Sequence, residues 1–490
     1  MKKTLLSLAA FLLTLACGTA AAGPVYHPPG ANLTYGDVTH GMRVQSASSN
    51  PAAAASDRGR RPDGKIQGMN FSGAVGLEYG NIQEIWDFYD RISQAFAPSD
   101  PGSGGDAPGQ NPGDKPDDGI NIGDILDQIN PDIGAALDAL VSEVATQTAI
   151  LALISAEGYG RAWLAADAPV VVGREFLDGT WTFGLGWSGS AKGFGIAEPL
   201  DFNRDAARQA IEDWLNSLVP NRPRQIQLSD QIAITPVPDQ NAVFFEIDND
   251  SSLVTKATQT GQFNFGYSRE GWSNARGTLY WGVEGHLYVK RLSRLSVRYG
   301  DITDSEELFD AIRNLDYRTD EGFGVDVGLL WAAETYQVGA QITNVNRPAF
   351  NFPDVNLDPY TSELIIGFLE ADQRYVMDRQ VKLEASLFGR DRRWSVNMGL
   401  DANAATDPLG DEFQWATLSA GYTMDNWWLP NVRLGYRQNL AGTELGYVSV
   451  GFTAFKFVNF DIASALDTVK IDGTELPQGL MTSIGFQINW

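Results

Sequence analysis

The sequence has almost no cysteine: Cys17 is the only one among 490 residues. If export removes the chain up to Ala22, the mature protein has none. That excludes disulfides, a thiol nucleophile and a cysteine-ligated zinc site. Histidine is nearly as scarce, with only His27, His40 and His286, the first two in the N-terminal leader. Basic residues are also in deficit, 36 against 61 acidic ones, for a formal charge of −25. Loss of Lys2 and Lys3, with no acidic residue beside them, takes −25 to −27. Such a surface repels nucleic acid, so no direct nucleic-acid partner is expected. Finally, no apolar run of membrane-spanning length follows the N-terminus, so no transmembrane helix is expected.

What is present is alternation. From about Gly277 to Trp490 the chain reads as one strand after another. Leu279, Trp281, Val283, Leu287 and Val289 share one parity with Gly285; Tyr280, Glu284, His286, Tyr288 and Lys290 share the other. A strand has a side-chain period of two, so these are an apolar face and a polar face. The pattern recurs at 323–331, 336–343, 394–401 and 483–490. Earlier, Trp181, Phe183, Leu185 and Trp187 alternate with Thr180, Thr182, Gly184 and Gly186. Repeated dyad segments of roughly ten residues are the mark of a transmembrane β-barrel. The fold class expected is therefore all-β membrane, a barrel of about fourteen strands, against a soluble sandwich or lipocalin-like barrel whose strands also alternate.

The N-terminus reads as a secretory signal over 1–22. Lys2 and Lys3 form its basic start, Leu5 to Ala16 its apolar core, and Ala20-Ala21-Ala22 a small-residue cleavage site before Gly23. A rival lipoprotein cut before Cys17 places Thr14 where leucine is usual. Residues 23–63 are rich in small residues, with a turn at Asn50-Pro51. A first barrel strand is expected within 64–80. The period then changes. Ile82, Ile85, Tyr89, Ile92 and Phe96 form a helical stripe, and Ile133, Leu137, Leu140, Val144 and Leu151 form another. A Pro, Gly and Asp-rich linker at 98–119 separates them. This helical insertion, 81–160, is expected to fold as a hairpin, and its 81–156 stripes could meet an envelope protein partner. The barrel then occupies 161–490, with a polar insertion at 197–240 carrying a helix over 204–218, and a further short helix over 304–315.

Alternation also sorts the side chains that carry chemistry. Glu284, His286, Lys290, Asp326, Lys382, Glu384, Arg433 and Arg437 lie on polar faces. Facing lipid near the midplane, a charge costs a few kcal/mol, so these are expected to line the interior. Tyr280, Trp281, Trp331, Trp394, Trp415, Trp427, Trp428, Tyr436 and Trp490 are expected as girdle residues, because their rings are apolar and one atom hydrogen-bonds. The last strand places Phe486, Ile488 and Trp490 on one parity and ends the chain on an aromatic ring. This resembles the C-terminal signal read by the barrel assembly machinery. Around Asp114, Asp117 and Asp118 a calcium-loop pattern is broken by Pro116, so a solvated acidic turn is expected there. No metal, cofactor or catalytic residue is expected. A barrel hydrolase would need a serine beside His286 on a neighbouring strand.

Several stretches together carry a family resemblance. They are Tyr26-His27-Pro28, Asn32-Leu33-Thr34-Tyr35-Gly36, Ser46-Ala47-Ser48-Ser49-Asn50-Pro51-Ala52, Gly322 to Gly328 and Arg433-Leu434-Gly435-Tyr436-Arg437. On these the chain resembles the TraF-type conjugal-transfer proteins of the outer membrane, and more widely the FadL-like barrels. It does not resemble the thioredoxin-like protein that shares the TraF name, since it has no Cys-x-x-Cys. The resemblance implies a barrel in the outer membrane of a Gram-negative bacterium, surrounded by lipid, with residues 23–63 as a plug holding Asn50, Pro51 and Ala52. It implies a structural or assembly role in conjugal transfer, or alternatively passive transport of a small hydrophobic ligand.

Overall fold

The computed structural model describes residues 29–40, 44–58, 67–80, 158–173, 178–198, 203–216, 225–237, 242–247, 249–298, 312, 314–354, 363–471 and 474–489. The signal segment, Tyr26-His27-Pro28, the helical stripes with their linker, most of the short helix at 304–315, and Trp490 lie outside them.

Fourteen strands close into one barrel. In chain order they are β1 Gln67–Tyr79, β2 Tyr159–Gly173, β3 Thr180–Ile196, β4 Ser252–Asn274, β5 Gly277–Arg298, β6 Arg318–Ala332 and β7 Tyr336–Thr343. The second half comprises β8 Gln380–Phe388, β9 Trp394–Asp401, β10 Trp415–Tyr422, β11 Asn431–Asn439, β12 Gly446–Ala454, β13 Val458–Ala465 and β14 Gly479–Asn489. Every neighbour pair is antiparallel, and β1 pairs with β14 from Gly68↔Asn489 to Glu78↔Gly479, which closes the wall. Closure is what hydrocarbon demands, because an open edge would leave a row of amides and carbonyls without partners. The β1–β2 ladder skips Asn70 and Phe71 opposite Ala168 and Pro169. Proline has no N–H to give there.

The parity expected from the sequence sets the two faces. Outward stand Phe183, Leu185, Val283, Leu287, Val289, Val338, Met398, Leu434, Val450, Phe486 and Ile488, all large apolar side chains left exposed. On a soluble protein an apolar surface this continuous would be a liability; here it is the lipid-facing belt. Inward residues are polar and buried, among them Gln337, Asn397, Ser419 and Asn459.

The two rims differ. At the end holding Gln67 and Asn489 the connections are short, such as 275–276, 333–335 and 455–457. At the other end lie 80–158, 197–251, 299–317 and 344–379. Short turns at one end and long loops at the other are usual in such barrels. Aromatic rings gather at the short-turn rim: Trp394, Trp427 and Trp428 are exposed, and Trp427 packs on Trp428 and Phe455 at centroid distances of 4.5 and 5.6 Å. Two expected girdle residues turn the other way. Tyr280 is buried against Ala52, Ala55 and Leu330, and Trp415 packs inside against the rings of Phe413 and Tyr447. Both follow the parity of their strands, which outweighs the preference of the ring for a boundary.

The helix expected at 204–218 is present at Arg204–Asn216. The strand Ala242–Ile247 pairs with Ile232–Val237 outside the barrel, so the insertion runs on until β4 begins at Ser252.

Val450 stands 52% exposed in the middle of β12. Val450→Arg should lower stability by about 2–4 kcal/mol, the cost of a cation on the lipid face near the midplane. Equilibrium unfolding in lipid vesicles measures it, and the same change on the inward side of the strand should not follow the depth of the bilayer.

Candidate functional site

The lumen is filled from the N-terminal side. Residues 29–40 and 44–58 form a plug of two short helices, Asn32–Tyr35 and Ala53–Arg58, with a 3-10 turn at Val44–Ser48 between them. Short helices suit the place: the small residues that flank Asn50-Pro51 pack closely, and no long periodic stretch is needed. Leu33, Ala52 and Asn50 are buried.

The wall receives this plug with the polar residues expected to face inward. Arg437 donates to the carbonyl oxygens of Asn32 and Leu33 at 2.9 and 2.6 Å. The Asn32 carbonyl also accepts from the Gly36 amide at 2.9 Å, and a cation at this C-terminal end of a helical turn is favourable. Arg433 binds Asp461 through two nitrogens at 2.6 and 2.5 Å, and Thr34 of the plug donates to the same carboxylate at 2.6 Å. Such a bidentate pair is strong, and breaking one side of it would leave a buried charge. Glu384 accepts from the Thr39 amide, from Thr39 Oγ1 at 3.0 Å and from Asn50 Nδ2 at 2.6 Å. Lys382 pairs with Asp37. The stretch Asn50-Pro51-Ala52 lies in this segment, with Asn50 Oδ1 accepting from Ala52 N at 2.9 Å.

Three wall glycines mark the closest approach of the plug backbone. A Cβ at Gly282 would meet the Pro51 carbonyl, one at Gly328 the Asn50 side chain, and one at Gly435 the Thr34 carbonyl. Glycine in a strand interior weakens the strand, and here its gain is room for another backbone.

The far rim is also covered. The hairpin of Ala405–Thr406 with Glu412–Phe413 reaches across the mouth to β2 and β3. Arg161 meets Asp407 at 2.6 Å and Asp411 at 3.1 Å, and Lys192 also pairs with Asp411. Burial pushes the Asp407 carboxyl above its ordinary range, while Arg161 pulls it back. Residues 344–354 and 363–379 fold inward as well. Their Phe350, Phe352, Tyr375 and Met377 pack on Tyr288 and Leu292. Lys290 donates to Thr260 Oγ1 at 2.8 Å and lies over the rings of Phe350 and Tyr375. The sequence held a clue to this segment in the apolar run Leu364-Ile365-Ile366, which begins the helix Glu363–Ala371.

Between plug and covering loops lies a chamber of about 180 Å3. Its acids are Asp37, Asp167, Glu284, Asp326, Asp378 and Asp401; its lasting cations are Lys382 and Arg437. His286 lies between them, with Nε2 at 3.1 Å from Asp326 and Nδ1 at 2.9 Å from Asn264 Oδ1 and 2.8 Å from Gln262 Nε2. Of the expected inward residues, Glu284, His286, Asp326, Lys382 and Arg437 line this chamber. Glu384 and Arg433 hold the plug, and Lys290 holds the far-rim cluster. Sequence parity could also have marked Asp461 and Asp401, since each shares a strand face with inward polar residues. Asp37 and Asp167 lie in stretches without a clear polar and apolar alternation.

The family model described as "F plasmid transfer operon, TraF, protein" matches residues 47–401. The chain belongs to this family. The match spans the end of the plug, the first eight strands and β9, so the geometry above is that of a family member. Among solved structures it is similar to the Pseudomonas putida toluene transporter TodX, at 12% identity over 93% of this chain and 97% of that one, with a TM-score of 0.36. It is also similar to a Pseudomonas aeruginosa FadL homologue, at 13% identity over 96% and 97%, with a TM-score of 0.29. The closed strand register, rather than these likenesses, establishes the barrel. No curated protein matches the chain.

Gly282→Val should unseat the end of the plug, because the new side chain would occupy the place of the Pro51 carbonyl. The expected outcome is a wall that still closes, with single-channel conductance in planar bilayers raised above that of the unaltered protein. Limited proteolysis within 44–58 should rise in parallel.

Proposed function

We propose that this family member is an outer-membrane barrel of a Gram-negative bacterium, exported by its N-terminal signal, that serves as a closed structural component of plasmid transfer. The observation that carries the reading is the plug, whose bonds run from β6 and β8 round to β14 and leave the barrel filled rather than open. A filled barrel is a rigid anchor in the membrane. Family membership supplies the setting, since the matching family is described by the F plasmid transfer operon. Gly80 and Gly158, the two ends of the helical insertion, stand at the rim of long loops. In barrels of this type that rim faces the cell exterior. A partner of the insertion is therefore sought at the cell surface, and the final strand serves the barrel assembly machinery.

A second reading, passive passage of small molecules, is favoured by the chamber between plug and loops. Its charged lining suits a polar solute better than the hydrophobic one expected from FadL-like transport.

The deciding measurement is plasmid transfer frequency from donor cells lacking the gene and then carrying it again. The structural reading expects a large fall in frequency, restored by the gene. An unchanged frequency, with the barrel still present in the outer membrane of complemented cells, would set that role aside and bring solute passage forward.

A further inference from the structure

One acid of the chamber stands apart from the others. Asp37 has Lys382, and Asp326 has His286 together with the Asn344 amide at 2.8 Å. Asp167 accepts from Ser48 at 3.0 Å, and Asp401 from the Trp415 amide at 2.9 Å. Glu284 is only 7% exposed, lines the same chamber, and has neither a hydrogen bond nor an ion pair among the described residues. Its neighbours in the wall offer no relief. On β4 it faces Gly266, which has no side chain, and on β6 it faces Asp326, a like charge. Carboxylates directly opposite one another on a sheet face repel. The basic groups nearby are committed elsewhere, His286 on the same face of β5 to Asp326, Arg437 to the plug carbonyls and Lys382 to Asp37.

The Glu284 carboxylate opens on the chamber, and a cation in the adjoining space would offset the repulsion from Asp326. The surplus of acids over cations in the lining already sets the sign of the potential. The cation need not be a divalent metal. Among the described residues no group of three or more His, Cys, Asp or Glu side chains is arranged to hold a metal ion. A singly charged ion needs only one negative charge to balance it, and the chamber volume admits one.

We propose that Glu284 anchors a site for a small monovalent cation, an alkali ion or a protonated amine, inside the chamber between plug and far-rim loops. The site stands whether the barrel serves as an anchor or as a passage, since it depends only on the chamber and its lining.

The test uses the full mature chain purified in detergent, unfolded by heat in a fixed concentration of urea at constant ionic strength. Methylammonium chloride or sodium chloride replaces N-methylglucamine chloride, the bulky-cation reference. The expected result is a saturable rise in the unfolding midpoint with methylammonium, sodium or both. Sodium alone identifies an alkali site, methylammonium alone an amine site, and both a site for either. In Glu284→Gln half-saturation should move to roughly tenfold higher concentration, as expected when a charge-assisted contact becomes a neutral one. Glu284→Asp keeps the charge and should keep a saturable response. A flat wild-type response to both cations would overturn the proposal, and so would an unchanged half-saturation in Glu284→Gln. Should that variant not fold, the wild-type titration and Glu284→Asp decide the matter between them.

Discussion

Hydrocarbon gives a backbone nothing to bond with, and the rest of this molecule follows from that. Each strand must be paired along both edges, so the sheet closes with β1 against β14. Once closed, a strand has one face in lipid and one in the lumen, and the period of two fixes which side chain goes where. The apolar parity needs no further explanation. The polar parity does, because it crowds Arg433, Arg437, Lys382, Glu384 and Asp461 into a narrow interior where an unpaired charge is expensive.

The plug answers much of that demand. Its short helical turns present carbonyl groups to Arg437, its Thr34 hydroxyl reaches Asp461, and its Thr39 and Asn50 serve Glu384. The wall answers in turn with glycines at the three places where the plug backbone comes closest. Neither part is complete in its polar contacts without the other. The far-rim hairpin repeats the arrangement with opposite signs, bringing acids to the wall cations Arg161 and Lys192.

Much of the wall was legible in the sequence because its period is geometric. Alternation placed Glu284, His286 and Asp326 on the inner face without knowledge of any contact. What it could not supply was the partner of each group. Lys382 and Asp37 are separated by most of the chain, and nothing local in either stretch points to the other. Ring preference also misled at Tyr280 and Trp415, since an indole or phenol is at home both at a membrane boundary and in a polar interior. The inward fold of 344–354 and 363–379 was illegible for a different reason: the strands there are too short to show a period, and only the helix Glu363–Ala371 carries an apolar run.

The seam has a consequence for how the molecule is put together. The plug leads through 59–66 directly into β1, and β1 cannot meet its second neighbour until β14, the last strand along the chain, is in place. The wall therefore shuts behind its contents. Residues 29–58 bond to strands as late in the sequence as β11, β13 and β14, so their seating and the final zipping of Gly68 to Glu78 against Gly479 to Asn489 depend on the same late segment. Filling and sealing are thus ordered by chain connectivity into one terminal event, in which the lumen gains its polar partners as the ring loses its last free edge.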